Sequence, residues 1–221
     1  MMKLFAHRGY LVSKNSEPIK ENSVLSLKNA FDNSFRAIEF DIWLFGNQLV
    51  LKHDNPNRDN IDNLAKIDDY FCFGNKINYW LDFKNLNISN CEETINLLKI
   101  SLKNNNISLN NLYFAPYNLN YAEVSLLHKK FVENFGEVKF LAILDSEKDK
   151  AEMVVFREFL TKNNIKHLSV FHELINEEFI KDFSDIELFA WTVNDLERLE
   201  FLNKIGVKNF ATDTIIPKLS H

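Results

Sequence analysis

Eight short apolar runs, each followed by a polar or helix-forming segment, restrict this chain more than any other feature of its sequence. The runs cover residues 3–6, 37–45, 77–83, 112–114, 138–144, 167–171, 187–193 and 208–211. Between them, apolar residues recur at helical spacing, as in Val24, Leu27 and Phe31, in Ile95, Leu98 and Leu102, and in Val124, Leu127 and Phe131. Further helical segments are expected over residues 148–163, 177–183 and 196–204, with a closing turn of helix over 214–219. Residues 48–52 read as an extended arm that returns from the second strand after the turn at Gly46-Asn47. Strands that alternate with helices across short loops are parallel and joined by helical crossovers. Eight such units in 221 residues predict an α/β fold, a single-domain TIM (β/α)8 barrel over residues 1–221. An open doubly wound sheet is the rival, but Gly9 stands alone after the first run and no glycine-rich phosphate loop follows it.

Composition narrows the class of partner. A hydrophobic fraction of 46% is ample for a core and excludes wholesale disorder. A net charge of -5 argues against a general binder of nucleic acid or anionic membranes, while leaving room for an anionic small molecule in a local basic site. Cys72 and Cys91 lack the spacing of a zinc site or a disulfide framework. The first apolar run meets His7-Arg8 too soon for a signal peptide, and no run approaches the roughly 18 apolar residues of a membrane span. The expectation is a cytoplasmic protein with a small-molecule substrate, no nucleic-acid or membrane partner, and an oligomeric state that the sequence leaves open.

In a barrel of this type, reactive groups sit at the C-terminal ends of the strands. Polar residues of this chain fall there. The first run ends in His7-Arg8, and the extended arm ends in His53-Asp54. Glu39 and Asp41, two apart, share one face of the second strand, and Asp82 and Lys84 share one face of the third. The last two runs end in Trp191-Thr192-Val193-Asn194 and Thr212-Asp213. Three carboxylates on neighbouring strands need a counter-charge. Hard oxygen donors suit a divalent cation, with Mg²⁺ the first expectation and Ca²⁺ the second. Arg8 and Lys84 add donors for a phosphoryl group, and two histidines can move protons near neutral pH. Together they point to metal-assisted cleavage of a phosphodiester.

Taken singly, most of these residues have a plainer reading, although Glu39 and Asp41, two acids on one face of a buried strand, do not. His7 is placed like a core histidine, His53-Asp54 like a turn, Asp82 and Lys84 like a salt bridge, and Trp191 like rim packing. Asp213 reads better as the cap of a final helix than as a reactive group. His128, His167, His172 and His221 have no motif support and are expected at the surface.

The ordered set His7-Arg8-Gly9, Glu21-Asn22-Ser23, Glu39-x-Asp41, His53-Asp54, Asp82-x-Lys84, Trp191-Thr192-Val193-Asn194 and Thr212-Asp213 resembles the glycerophosphodiester phosphodiesterase family across residues 5–213. The resemblance implies a TIM barrel that uses a divalent metal to split glycerophosphodiesters into glycerol 3-phosphate and an alcohol. It implies His7 and His53 as the acid/base pair, Arg8 and Lys84 on the phosphate, and Glu39, Asp41 and Asp82 on the metal. Glu21 and Asn22 would support the site and Trp191 would line it. It further implies attack on phosphorus by a substrate hydroxyl, then opening of a cyclic phosphodiester by water. The chain departs from the pattern at Lys20, where proline is usual, and at Asp82, where glutamate is usual. It also departs over residues 55–78, where a larger capping insertion is usual. These departures keep two rivals open: the same chemistry on a nucleotide-linked or polysaccharide phosphodiester, and a silent barrel that binds a phosphorylated ligand.

Overall fold

The structure is a computed structural model that describes residues 2–12, 18–56 and 58–217. Nine strands form one sheet: β1 (Lys3–Ala6), β2 (Ala37–Phe45), β3 (Gln48–Leu51), β4 (Asn78–Phe83), β5 (Leu112–Pro116), β6 (Leu141–Leu144), β7 (His167–Phe171), β8 (Glu187–Trp191) and β9 (Asn209–Thr212). Seven helices are interspersed: α1 (Val24–Asp32), α2 (Ile67–Tyr70), α3 (Cys91–Asn104), α4 (Tyr121–Phe135), α5 (Lys150–Lys162), α6 (Glu177–Asp182) and α7 (Leu196–Ile205). The spatial order β5-β4-β2-β1-β9-β8-β7-β6 is that of a TIM barrel, with β3 folded back antiparallel on β2 outside the ring. Phe114 closes the ring between β5 and β6, because its N–H donates to the Lys139 carbonyl at 2.8 Å.

Helix boundaries follow local chemistry. Ser23 accepts from the Ser26 N–H and caps α1, Asp149 accepts from Glu152 N–H at α5, and Asp195 accepts from Arg198 N–H at α7. Gly136 ends α4 and Gly206 ends α7, both at positive φ. Alternate residues of each strand point either to the helices or into the barrel. The inward set Phe5, Trp80, Tyr113, Leu141 and Phe189 fills the middle of the barrel, with Phe5 edge-on to Trp80 at 5.6 Å and to Tyr113 at 5.7 Å between ring centroids. A polar layer closes the N-terminal end. Lys3 Nζ donates to the Tyr113 hydroxyl at 2.7 Å, His167 lies 3.4 Å from the Glu187 carboxylate, and Asn209 donates to Glu187 at 2.9 Å. The His167 hydrogen bond, set against partial burial, pulls Glu187 down to about 2.

Several expectations are corrected. His167 belongs to that inner polar layer, His128 packs on Phe140 at 5.0 Å, and His172 is fixed by Arg198, so none of the three is a free surface histidine. His221 lies outside the described residues. Residues 214–217 are not helical, and 218–219 lie outside the described residues. β6 begins at Leu141 rather than 138, because Phe140 reaches across to β5 instead of joining the β7 ladder. Among the described residues, no helix is long and apolar enough to cross a membrane.

Candidate active site

β1 delivers two site residues through a sharp turn. Gly9 has φ +80, and a Cβ there would lie 2.4 Å from Ser26 Oγ and 2.8 Å from the Ser26 carbonyl carbon, so only glycine lets the chain pass α1 this closely. Arg8 and Asn22 also take positive φ, and the Asn22 N–H donates to the Arg8 carbonyl at 2.9 Å. Non-glycine residues held in this region cost about 1–3 kcal/mol each and are retained where surroundings impose them. Here they clamp His7, Arg8, Glu21 and Asn22 against β2.

β2 and β4 pair in parallel with Asp41 directly opposite Asp82. Glu39 faces the barrel interior with them, and ligand oxygens of Glu39, Asp41 and Asp82 all lie within 4.8 Å of one another. Both oxygens of Asp41 have partners. Its Oδ1 lies 2.8 Å from Lys84 Nζ, and its Oδ2 accepts from Asn22 Nδ2 at 2.7 Å. The Arg8 Nε lies 3.2 Å from the same oxygen, close enough for charge pairing but not aligned as a hydrogen bond. Lys84 Nζ also reaches Asp82 Oδ2 at 2.6 Å. Arg8 Nη1 donates to Glu21 at 2.9 Å, and its backbone N–H donates to Glu39 Oε2 at 2.9 Å.

Burial pushes Glu39 up to about 8, the Asp41 charge adds to this, and His7 only partly offsets it. Burial also raises Asp82 against the pull of Lys84. Asp41 goes the other way: burial opposes its ionisation, but Lys84 and Arg8 outweigh it and hold its pKa down. The nearby cations do not offset burial at Glu39 and Asp82, and among the described residues Asp82 Oδ1 is buried without a partner. Hard oxygens with unmet charge fit a divalent cation.

His7 Nδ1 lies 2.8 Å from Asp213 Oδ1, and its Nε2 lies 3.8 Å from Glu39 Oε2. Burial alone would lower its pKa, yet Glu39 and the Asp213 hydrogen bond together raise it. Asp213 is held in turn by Asn194, which donates to its Oδ2 at 2.8 Å and accepts from its N–H at 2.7 Å. The expected capping role of Asp213 is thus replaced by contact with a site histidine. His53 sits at the rim with a side chain 40% exposed, and its Nδ1 lies 2.9 Å from Asp54.

A cavity of about 410 Å³ opens at the C-terminal end of the barrel and is lined by His7, Arg8, Glu39, His53, Asp82, Lys84 and Trp191. Asp41, Asn22 and Glu21 stand behind this lining. Trp80, Tyr117 and Trp43 also line it and were not singled out from sequence. Trp80 lies two residues before Asp82, on the same strand face, so alternation alone could have found it. Tyr117 follows the end of β5, and Trp43 is the next inward position after Asp41. The arrangement brings two histidines, an arginine, a lysine and an oxygen-rich cluster together in one enclosure.

No family profile matches the sequence, and no curated protein matches it either. Solved structures do match. A glycerophosphodiester phosphodiesterase from Parabacteroides distasonis superposes with TM-score 0.73 at 19% identity, covering 96% of this chain and 92% of that one. An Oleispira antarctica phosphodiesterase in complex with the product sn-glycerol-3-phosphate superposes with TM-score 0.71 at 18% identity, over 96% of this chain and 92% of that one. A calcium-dependent phosphoinositol-specific phospholipase C from Pseudomonas is more distant, with TM-score 0.57 and 10% identity over 99% of this chain and 91% of that one. The chain shares the fold of glycerophosphodiester phosphodiesterases along nearly its whole length.

Proposed function

We propose that this chain is a divalent-cation-dependent phosphodiester hydrolase that converts glycerophosphodiesters to glycerol 3-phosphate and an alcohol. The observation that carries this reading is the meeting of His7, His53, Arg8, Lys84, Glu39 and Asp82 around one cavity, with Asp41 behind them completing the carboxylate cluster, at the barrel end where such folds react. The shared fold, and the glycerol 3-phosphate bound to the Oleispira structure, support the same substrate class.

Arg8 and Lys84 bind the phosphate oxygens through charge-assisted hydrogen bonds. Glu39, Asp41 and Asp82 would hold the cation, which supplies Lewis-acid polarisation of the phosphoryl group when bound. Asn22 fixes Asp41, and Glu21 fixes Arg8. His7 and His53 form the acid/base pair. One takes the proton from the substrate hydroxyl beside the phosphate as that oxygen bonds to phosphorus. The other protonates the departing alcohol oxygen as its bond to phosphorus breaks. Water then opens the cyclic phosphodiester with the roles reversed. Asp213 holds His7 Nδ1, so that Nε2 is the nitrogen presented to the reaction. Two unpaired thiols, Cys72 and Cys91, support a cytoplasmic setting.

The test is phosphate-ester release from glycerophosphocholine by the wild type, His7→Ala and His53→Ala. Loss of turnover in both variants with retained folding is expected. Undiminished turnover in both would remove the assignment of the pair.

A further inference from the structure

The two histidines of the cavity are held unequally. His7 follows β1, and its Nδ1 partner Asp213 is itself held by Asn194. His53 follows the end of β3 with its side chain 40% exposed, and its Nδ1 partner Asp54 is 84% exposed. A pairing that open to water contributes little, so Asp54 alone does not fix the imidazole over the cavity.

A second hold comes from the β2–β3 hairpin. Its ladder runs from Phe45 opposite Gln48 to Ile42 opposite Leu51, and the Lys52 N–H continues it by donating to the Asp41 carbonyl at 3.2 Å. Past that point a side chain takes over: Trp43 Nε1 donates to the His53 carbonyl at 3.2 Å. The backbone that carries Trp43 is fixed on both edges. On one edge Trp43 lies opposite Val50, which is buried. On the other, the ladder with β4 ends at Ile42 opposite Phe83, and the Lys84 N–H donates to the Ile42 carbonyl at 2.8 Å. Asn85 then stands in for a strand, because its Oδ1 accepts from the Leu44 N–H and its Nδ2 donates to the Leu44 carbonyl, both at 3.0 Å. The indole thus reaches from a fixed strand to the backbone of a residue beyond the last ladder bond, and Trp43 and His53 both line the cavity.

Resting on the phosphodiesterase reading above, we propose that Trp43 is a positioning residue, whose indole N–H holds the His53 backbone so that the imidazole stays over the cavity for proton transfer. Trp43 itself moves no proton. Reaction rate depends steeply on the placement of such a group, since a displacement of about 1 Å costs on the order of 10²-fold. Loosening His53 therefore lowers kcat, while KM, which depends on the phosphate contacts of Arg8 and Lys84, stays in place.

The experiment compares wild type with Trp43→Phe and with protein carrying benzothienylalanine at position 43, an isostere of tryptophan that has sulfur in place of the N–H. The isostere keeps the shape of the ring and carries the test if Trp43→Phe fails to fold. The order parameter of the His53 amide is measured by NMR relaxation, and kcat and KM are measured on glycerophosphocholine with Mg²⁺ and with Ca²⁺. The isostere is expected to take the order parameter from about 0.85, the value of rigid backbone, to below about 0.6. It is expected to lower kcat about tenfold, the scale of one lost hydrogen bond, with KM changed less than about twofold. An unchanged order parameter would overturn the anchor, and so would a rise in KM at constant kcat, which would make the indole a substrate contact instead. Loosening of His53 with kcat intact would overturn its service to the reaction. Loosening of His53 in a protein whose wild type turns over no substrate with either cation would uphold the anchor and overturn the hydrolase reading beneath it.

Discussion

Replacing Lys84 with methionine keeps most of the unbranched side chain and removes one charge. In the folded protein that charge sits 2.8 Å from Asp41 Oδ1 and 2.6 Å from Asp82 Oδ2, in a side chain only 12% exposed. Breaking a buried pair by removing one partner typically costs about 3–5 kcal/mol, because the other charge is left uncompensated. For a domain of this size that corresponds to a fall in Tm of roughly 6–20 °C. The loss has a definite pH dependence. Without Lys84, burial acts on Asp41 and Asp82 unopposed by their nearest cation, so their folded pKa values rise. A group whose folded pKa lies above its unfolded value is stabilising below the unfolded pKa and loses that stability as pH rises through the folded pKa. The deficit of Lys84→Met is therefore largest at neutral pH and shrinks as pH falls to and below about 4, where the aspartates of the variant become protonated in the unfolded state as well. Millimolar Ca²⁺ is expected to restore part of the lost Tm at neutral pH, since a cation bound to the folded state replaces the missing charge. Thermal melts followed by circular dichroism, with and without Ca²⁺ and EDTA, measure all of this. A neutral-pH Tm equal to wild type, or a deficit that grows on acidification, would refute the reasoning.

Three further outcomes are expected. Glu39→Gln flattens the pH dependence of stability in EDTA, because Glu39 is pushed up to about 8 and its ionisation weakens the wild-type fold as pH rises from the unfolded value through that range; parallel melts across that range check it. Asp213→Asn leaves the fold intact but lowers turnover by about 10²-fold or more, on the scale of a positioned acid/base group, and moves the His7 titration seen by NMR to lower pH. Gly9→Ala combines a strained positive φ with a Cβ 2.4 Å from Ser26 Oγ, and urea unfolding should register a loss of about 2–5 kcal/mol.

Much of this architecture was legible in the sequence because it is local. Strand and helix periods and the i, i+2 pairs Glu39/Asp41 and Asp82/Lys84 depend on neighbours along the chain. What escaped notice is non-local. Asp213 reaches His7 because β9 lies beside β1 with Ala6 opposite Thr212, a pairing that joins the first and last strands. His167 looked like an idle surface residue because nothing nearby in sequence announces its partner Glu187 across the β7–β8 pair. The departure over residues 55–78 was visible as a short segment. That Leu64, Ile67, Tyr70 and Phe71 turn inward to join the core required the packing itself.

The central claim meets its most direct test in glycerol 3-phosphate release from a panel of glycerophosphodiesters, with Mg²⁺, Ca²⁺ or Mn²⁺ and in EDTA. Release that requires a divalent cation, stops in EDTA and is lost in His7→Ala is the predicted result. No release from any member of the panel with any cation, from a protein that melts cooperatively, would contradict it.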